Sequence, residues 1–405
     1  MTTPLERFEI VVISNSTIEH TGIGGGLKRI VEICKRWVSK GLTVKFVGSD
    51  EDFLVCRNQG LQDITFQRLP SFSRLKFCVP LVYVLRTLMS CIEIIKSIHF
   101  ERAVFYSASD FWPDVIPSLL MHARSRNSKL ISIIHLIAPN PFSGQTAEEA
   151  RKNKSYLRYF PKAVLYWVSQ CLAIKLLFPA DLVLCVNEEM KEYLVSRGIE
   201  RNKIKVILNG VDLTSIRKTP KNTECFDACF VGRFHLQKGV LDLPPIWELV
   251  CKVLPQARLA IIGGGDQVIK KKLCKAIKDK NLQHNMSVLG PLPEDQKNSI
   301  MKSAKLLLFP SYYESFGIVV IECLACGLPV IAYDLPCLSK FKSLVTRVPI
   351  GDVNRFSQAI IECITDESSR KEHEGNALRF VKTYDWDHIA ASELSLVADL
   401  LGHPT

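Results

Sequence analysis

Residues 306–331 read LLLFPSYYESFGIVVIECLACGLPVI. The first four, Leu306 to Phe309, are apolar on both faces and too short for a helix, which predicts a strand covered on both sides. Pro310 ends the strand, and a polar loop carries the chain to Glu314. Ser315-Phe316-Gly317 then opens an apolar helical stretch on which Glu322 sits, eight positions after Glu314 with seven residues between. Gly327-Leu-Pro329 stops the helix and hands over to another apolar run. A strand, a loop, a helix and a second strand in this order are the repeating unit of a parallel sheet.

The same alternation extends outward in both directions. Downstream and upstream of the quoted stretch, strands are predicted at 226–231, 258–262, 287–289, 306–309, 329–332 and 344–348, with helices such as 268–279 and 295–303 between them. The first half repeats the pattern, with strands at 8–13, 43–47, 103–106, 130–134, 182–186 and 205–208 and helices such as 27–40 and 188–197, the latter ended by Gly198. Between the two series, LTSIRKTPKNTEC at 213–225 is polar with a proline and reads as a linker. A chain of 405 residues exceeds the roughly 250–300 that one core usually supports. The expected fold is α/β: a doubly wound, Rossmann-like domain over 1–212, the linker 213–225, a second such domain over 226–385, and a final amphipathic helix within 386–405.

Composition excludes disorder and low complexity: hydrophobic residues make up 47% and charged residues 23%. Lys and Arg total 52 against 41 Asp and Glu, a formal charge of +11. Residues 66–178 hold most of the excess, with 15 cations against 6 anions. Phosphates, nucleic acid and an anionic membrane all suit such a surface. The 14 cysteines have no spacing of a disulfide framework. Cys185 and Cys229 lie in apolar strand runs and read as small core residues. Cys323 and Cys326 have no matching second Cys/His pair nearby, so they read as helix packing, with no metal expected. MTTPLERFEIVVIS lacks the basic start and cleavage site of a signal peptide, and a reducing cytoplasm is expected. No apolar run reaches the roughly 18–20 residues of a membrane helix.

Several loops suit phosphate. Gly22-Ile-Gly24-Gly25-Gly26 precedes the first helix, but Leu27 stands where a dinucleotide fingerprint needs its third glycine, and Leu27-Lys28-Arg29 stands where a P-loop needs Gly-Lys-Ser/Thr. What survives is a glycine loop at a helix N-terminus, with exposed N–H groups that suit an anion or merely a tight turn. Gly263-Gly264-Gly265 follows a strand and permits close approach of a ligand or of another backbone. Gly232-Arg233 and Lys238-Gly239 put a guanidinium and an ammonium five residues apart at a strand's carboxyl end, as a diphosphate or simply solvent would accept. The Glu322 carboxylate can accept two hydroxyl hydrogen bonds, as from a ribose diol.

Together these residues resemble the retaining GT-B glycosyltransferases of family 4. The resemblance rests on Glu314 and Glu322 with Ser-Phe-Gly between them, Gly327-Leu-Pro329, Arg233 with Lys238-Gly239, Asn209-Gly210-Val-Asp212 and Gly25-Gly26, in the right order over nearly the whole chain. It implies two facing domains with a last helix that crosses back to the first. It implies that Arg233 and Lys238 hold the donor's diphosphate, that Glu322 binds ribose hydroxyls and that Glu314 contacts the donor sugar. Ser315, Phe316, Gly317 and Ile318 would border the phosphate and sugar, Gly263 and Leu292 the base, and Gly25 and Gly26 the diphosphate from the first domain. His135, at the end of the 130–134 strand, matches a family histidine near the reacting sugar; its plain alternative is a satisfied strand-end histidine. The implied chemistry is transfer of a sugar from a nucleoside-diphosphate sugar with retention, without metal or other cofactor.

The basic half would then be the acceptor side. Phe72 to Arg86 and Arg151 to Trp167 mix cations with Tyr, Trp and Phe, the composition of an interfacial membrane segment. The expected partners are a nucleotide sugar, a lipid-linked or other membrane-borne glycan and an anionic membrane surface at the cytoplasmic face, not nucleic acid. A relative acting on a soluble acceptor or epimerising a nucleotide sugar is the alternative, and a basic nucleic-acid-binding protein is a more distant one.

Overall fold

The structure, a computed structural model, describes residues 8–16, 24–70, 79–97, 102–125, 127–142 and 160–402. The chain divides into two compact units, one running to Leu208 and taking in the chain from Ile389 onward, the other spanning Asn209–His388. Each is built on one parallel sheet with helices.

The first unit contains β1 (Glu9–Ser14), α1 (Gly25–Ser39), β2 (Val44–Ser49), α2 (Asp50–Asn58), β3 (Thr65–Leu69), α3 (Val79–Ser97), β4 (Ala103–Ser107), α4 (Trp112–Arg124), β5 (Lys129–Ile134), α5 (Phe160–Leu176), β6 (Leu182–Cys185), α6 (Glu188–Ser196) and β7 (Ile204–Val206). Its strands lie in the order β3-β2-β1-β4-β5-β6-β7, all parallel. The strand order reverses between β1 and β4, the switch point beside which doubly wound sheets place ligands. β4 is buried along its whole length, as its apolar AVFYS requires. A capping box ends β2: Ser49 accepts from the Asp52 amide while the Asp52 carboxylate accepts from the Ser49 amide.

Strand β3 escapes the sequence pattern. As an edge strand it exposes Thr65 and Arg68, so TFQRL never reads as a buried run. It is held instead by Phe66 stacked on Phe46 at 5.2 Å and by Arg68 over the Phe53 ring at 3.9 Å.

The second unit departs from the expected organisation at its start. The stretch read as linker opens with a helix, α7 (Leu213–Lys218), capped by the Asp212 side chain accepting from the Ser215 amide at 2.7 Å. Leu213 and Ile216 are buried three residues apart, and Lys302 Nζ donates to the Ile216 and Thr219 carbonyls at its end. A single turn with two apolar side chains is too short to show as periodicity. There follow β8 (Ala228–Val231), α8 (Leu243–Val253), β9 (Leu259–Ile262), α9 (Gln267–Asp279), β10 (Met286–Gly290), α10 (Glu294–Ser303), β11 (Leu307–Phe309), α11 (Ile318–Ala325), β12 (Val330–Tyr333), β13 (Val345–Val348), α12 (Val353–Thr365) and α13 (Glu367–Phe380). The sheet order is β10-β9-β8-β11-β12-β13, again parallel throughout. Phe230, Trp247, Tyr333 and Phe356 are among the large side chains of its core.

The last helix, α14 (Trp386–Leu400), leaves the second unit and packs in the first. Glu393 on it is fully buried and pairs with the equally buried Arg29 of α1, while Tyr106 of β4 donates to the other carboxylate oxygen at 2.6 Å. Trp37 Nε1 donates to the Ala390 carbonyl at 3.2 Å. Among the described residues no helix is long and apolar enough to cross a membrane.

Candidate active site

In the second unit the predicted charged residues come from two neighbouring strands. β8 and β11 pair directly, so the loops beyond their carboxyl ends lie side by side although 76 residues separate Lys238 from Glu314. The two loops are laced together: Gln237 Nε2 donates to the Tyr313 carbonyl at 2.7 Å, and the Tyr312 amide donates to the Gln237 carbonyl at 2.8 Å. Lys238 Nζ pairs with the Glu314 carboxylate, which also accepts from Ser311 Oγ at 3.2 Å. Both charged side chains are mostly buried, so their pairing is less screened than a surface contact. Arg233 stands exposed at the start of the same β8 loop.

Gly263 is fixed by close packing. It adopts φ +144°, and a β-carbon there would fall 1.9 Å from the Gly232 carbonyl oxygen. The Gly232 amide in turn donates to the Ile262 carbonyl at 3.0 Å, so the Arg233 loop lies directly against the β9 end. Leu292 is half-buried just before α10.

Ser315, Phe316 and Gly317 form the turn into α11. Gly317 takes a left-handed φ of +81° as the N-cap, with Ile318 the first helical residue. Phe316 is buried, and Lys340 Nζ lies 3.2 Å from its ring centroid. Among the described residues that ammonium has no hydrogen-bond partner, and burial pushes its pKa down to about 7. Glu322, one turn into α11, is buried and accepts from Lys297 Nζ of α10 at 2.9 Å. Its proposed partner, a ribose diol, would share the carboxylate with that lysine.

In the first unit the structure brings Gly26 and His135 together. Gly24 is the N-cap of α1, and Gly25 and Gly26 form its first turn. A β-carbon on Gly26 would lie 2.7 Å from His135 Cδ2 and 2.9 Å from Nε2. The imidazole therefore lies directly against the helix start. His135 Nε2 is 3.0 Å from the Ala108 carbonyl; a carbonyl only accepts, so Nε2 carries the proton and Nδ1 presents a lone pair. Burial, with the Arg29 charge nearby and despite that hydrogen bond, pushes the imidazole pKa down to about 4. Neutral imidazole is the resting form.

Sequence reasoning missed the side chain that holds the segment after His135. Gln170 of α5 donates to the Leu136 carbonyl at 2.7 Å and to Asp110 at 2.6 Å, and accepts from the Ala138 amide at 2.6 Å. Burial raises the Asp110 carboxyl to about 6. Lys297 and Lys340 were missed as well, because no local pattern links them to Glu322 and Phe316. Gly239 was quoted without a role; it has φ +63°, and a β-carbon there would meet the Pro310 carbonyl at 1.9 Å. The glycine loop before Gly24 and the basic stretches 72–78 and 151–159 lie outside the described residues. Among the described residues no three His, Cys, Asp or Glu side chains come together to hold a metal ion.

Comparison with known proteins adds three findings. The family described as Glycosyl transferases group 1 matches residues 212–379, and Glycosyltransferase Family 4 matches residues 23–215. The GDP-mannose:cellobiosyl-diphosphopolyprenol alpha-mannosyltransferase of Xanthomonas oryzae pv. oryzae is 26% identical over 218 residues, which are 52% of this chain and 57% of that protein. The match thus spans little more than half of that relative's length. Among solved structures, sucrose-phosphate synthase from Thermosynechococcus elongatus superposes with a TM-score of 0.74 at 18% identity over 98% of this chain and 99% of its own. Anabaena HepE in complex with UDP-glucose superposes at 0.71 with 16% identity, over 96% and 99%. At these identities the likeness is one of fold, and that fold is GT-B.

Proposed function

Because this chain belongs to the group 1, family 4 glycosyltransferases, we propose that it transfers a sugar from a nucleoside-diphosphate sugar to a hydroxyl acceptor, with retention at the anomeric carbon. The observation that carries this reading is the meeting of Lys238 and Glu314 at adjacent strand ends, beside Arg233 and the Ser315–Gly317 turn. A diphosphate entering there competes for the Lys238 ammonium and frees the Glu314 carboxylate to accept sugar hydroxyls. As the bond from the anomeric carbon to the phosphate oxygen breaks, the electron pair leaves with the phosphate, and Arg233 and Lys238 neutralise it in place of a metal ion. The acceptor oxygen bonds to the same face of that carbon, and its proton passes to the departing phosphate. Neutral His135 in the first unit, with an accepting Nδ1, is suited to a sugar hydroxyl and not to an anion.

The acceptor we propose is a lipid-linked or otherwise membrane-borne glycan, met by peripheral attachment at the cytoplasmic membrane face. Two things support this: the excess of cations in residues 66–178, and a curated relative whose name specifies a diphosphopolyprenol acceptor. The decisive experiment is a thermal-shift screen of nucleoside diphosphates, followed by incubation of the corresponding sugar donors with polyprenyl-linked and soluble acceptors. Stabilisation by one diphosphate and a glycolipid product are expected. A free disaccharide would move the reading to a soluble acceptor, and no stabilisation by any diphosphate would overturn it.

A further inference from the structure

Two helices of the first unit carry apolar side chains on the face turned away from the core. On α3, Val82, Arg86, Ser90 and Ile94 form the buried line at four-residue spacing. Leu81, Val84, Leu88 and Ile92 form a second line on the opposite face, between 42% and 54% exposed. On α5, Gln170, Ala173 and Ile174 face inward, while Leu165, Val168, Leu172 and Leu176 repeat the same spacing on another face, between 36% and 46% exposed. A surface helix of a soluble domain normally turns polar side chains outward, and contiguous apolar stripes mark a docking surface.

The two helices present these stripes together. Both pack against α4, and Trp112 at its start ties the first turns of α3 to the middle of α5: the Trp112 amide donates to Tyr83 Oη at 2.8 Å, and Trp112 Nε1 donates to the Ser169 carbonyl at 3.1 Å. At the start of α5, the exposed Phe142 stands edge-on to Phe160 and Trp167, with ring centroids 5.7 and 6.0 Å away. α5 runs past the carboxyl end of the sheet, because Gln170 on its inner face holds the segment that follows His135.

We infer that the outer faces of α3 and α5 are a docking surface for an anionic lipid bilayer. This rests on the membrane-borne acceptor proposed above and assigns its location. Charge selects lipid over a second copy of the chain. The two helices carry Lys96, Lys162 and Lys175 against Glu93, and the sequence leading into them adds Arg74 and Lys76, and Arg151, Lys152, Lys154 and Arg158. A two-fold contact through this face sets like charges against each other, whereas anionic headgroups neutralise them. Aromatic rings at the end of an apolar stripe flanked by cations are the arrangement of an interfacial helix.

The test is co-sedimentation of the full chain with vesicles of phosphatidylcholine mixed with phosphatidylglycerol, against phosphatidylcholine alone, at low salt. The chain should pellet with the anionic vesicles. Leu88→Asp combined with Leu172→Asp should weaken this by at least about tenfold, since each change removes an inserted side chain and adds a repelled charge. Leu54→Asp, at an exposed position on α2, should bind like the unaltered chain. The double variant should keep its thermal stabilisation by a nucleoside diphosphate. Undiminished pelleting of the double variant overturns the assignment of this face. Failure of the unaltered chain to pellet overturns it too, and a dimer that the double variant splits gives the face to a second copy. Vesicle binding without any response to nucleoside diphosphates supports the docking face while overturning the donor site.

Discussion

Gly26 leaves only enough room for the His135 ring: a β-carbon at that position would stand 2.7 Å from His135 Cδ2. The contacted atoms belong to an imidazole hydrogen-bonded to the Ala108 carbonyl, which limits how far it can retreat. Gly26→Ala should therefore displace the ring. The expected result is a loss of transfer rate of about tenfold or more, with a stability cost of about 1–3 kcal/mol for overpacking. Steady-state kinetics and a thermal melt read these separately; unchanged transfer with a displaced His135 would remove the ring from the reaction.

Lys238→Ala removes the ammonium proposed to stabilise the leaving diphosphate. Loss of one such charge-stabilising donor costs about 3–4 kcal/mol in comparable sites, so turnover should fall by about 10²–10³-fold. Lys238→Arg should recover part of it. Full donor turnover in the alanine variant would show the assignment of the cation to be wrong.

Lys340 lies over Phe316 as a buried ammonium with no hydrogen-bond partner among the described residues. Its folded-state pKa of about 7 is below the ordinary lysine value of 10.5, so the folded chain releases the proton first. Below about pH 7 the ammonium is charged in both states and the whole desolvation cost is present. As pH rises from there toward the unfolded value, stability increases. Lys340→Met should raise the melting temperature, and the gain should shrink steadily from about pH 6 to about pH 10. A gain that grows with pH would mean the ammonium is stabilised by a neighbour.

Glu393→Ala leaves Arg29 charged and unpaired in a fully buried setting. Breaking a buried pair in this way typically costs about 3–5 kcal/mol. Tyr106 also loses its acceptor, so α14 should detach early in unfolding. Hydrogen exchange along α14 should rise well above that of the second sheet. Glu393→Gln, which keeps an acceptor, should be milder. Equal protection in all three chains would mean that packing alone, through contacts such as Trp37 to Ala390, holds the helix.

Much of the architecture was legible in the residues. The apolar runs at 103–106 and 182–186 fall within or almost on β4 and β6, because a strand covered on both faces needs such runs in sequence. The short helix at Leu213–Lys218 and the edge strand Thr65–Leu69 were not, because each offers too few buried positions for a period to show. The quoted Glu314 to Gly317 loop was legible for a related reason. Its chemistry comes from residues close in sequence on one strand-to-helix turn.

The sequence by itself determined the alternation of strands and helices, the glycines at the turns and the types of charged residue at the strand ends. Those are local properties, written in neighbours a few positions apart. Only the tertiary structure decided which charges meet. Strand order sets β8 against β11 and so Lys238 against Glu314. The return of the last helix sets Glu393 on Arg29, and the packing of α10, of α5 and of the segment after β12 brings Lys297 to Glu322, Gln170 to the His135 segment and Lys340 to Phe316. The physical reason is that a side-chain pairing across 24 to 364 residues depends on the sheet that folds between its partners, and no spacing in the chain encodes it.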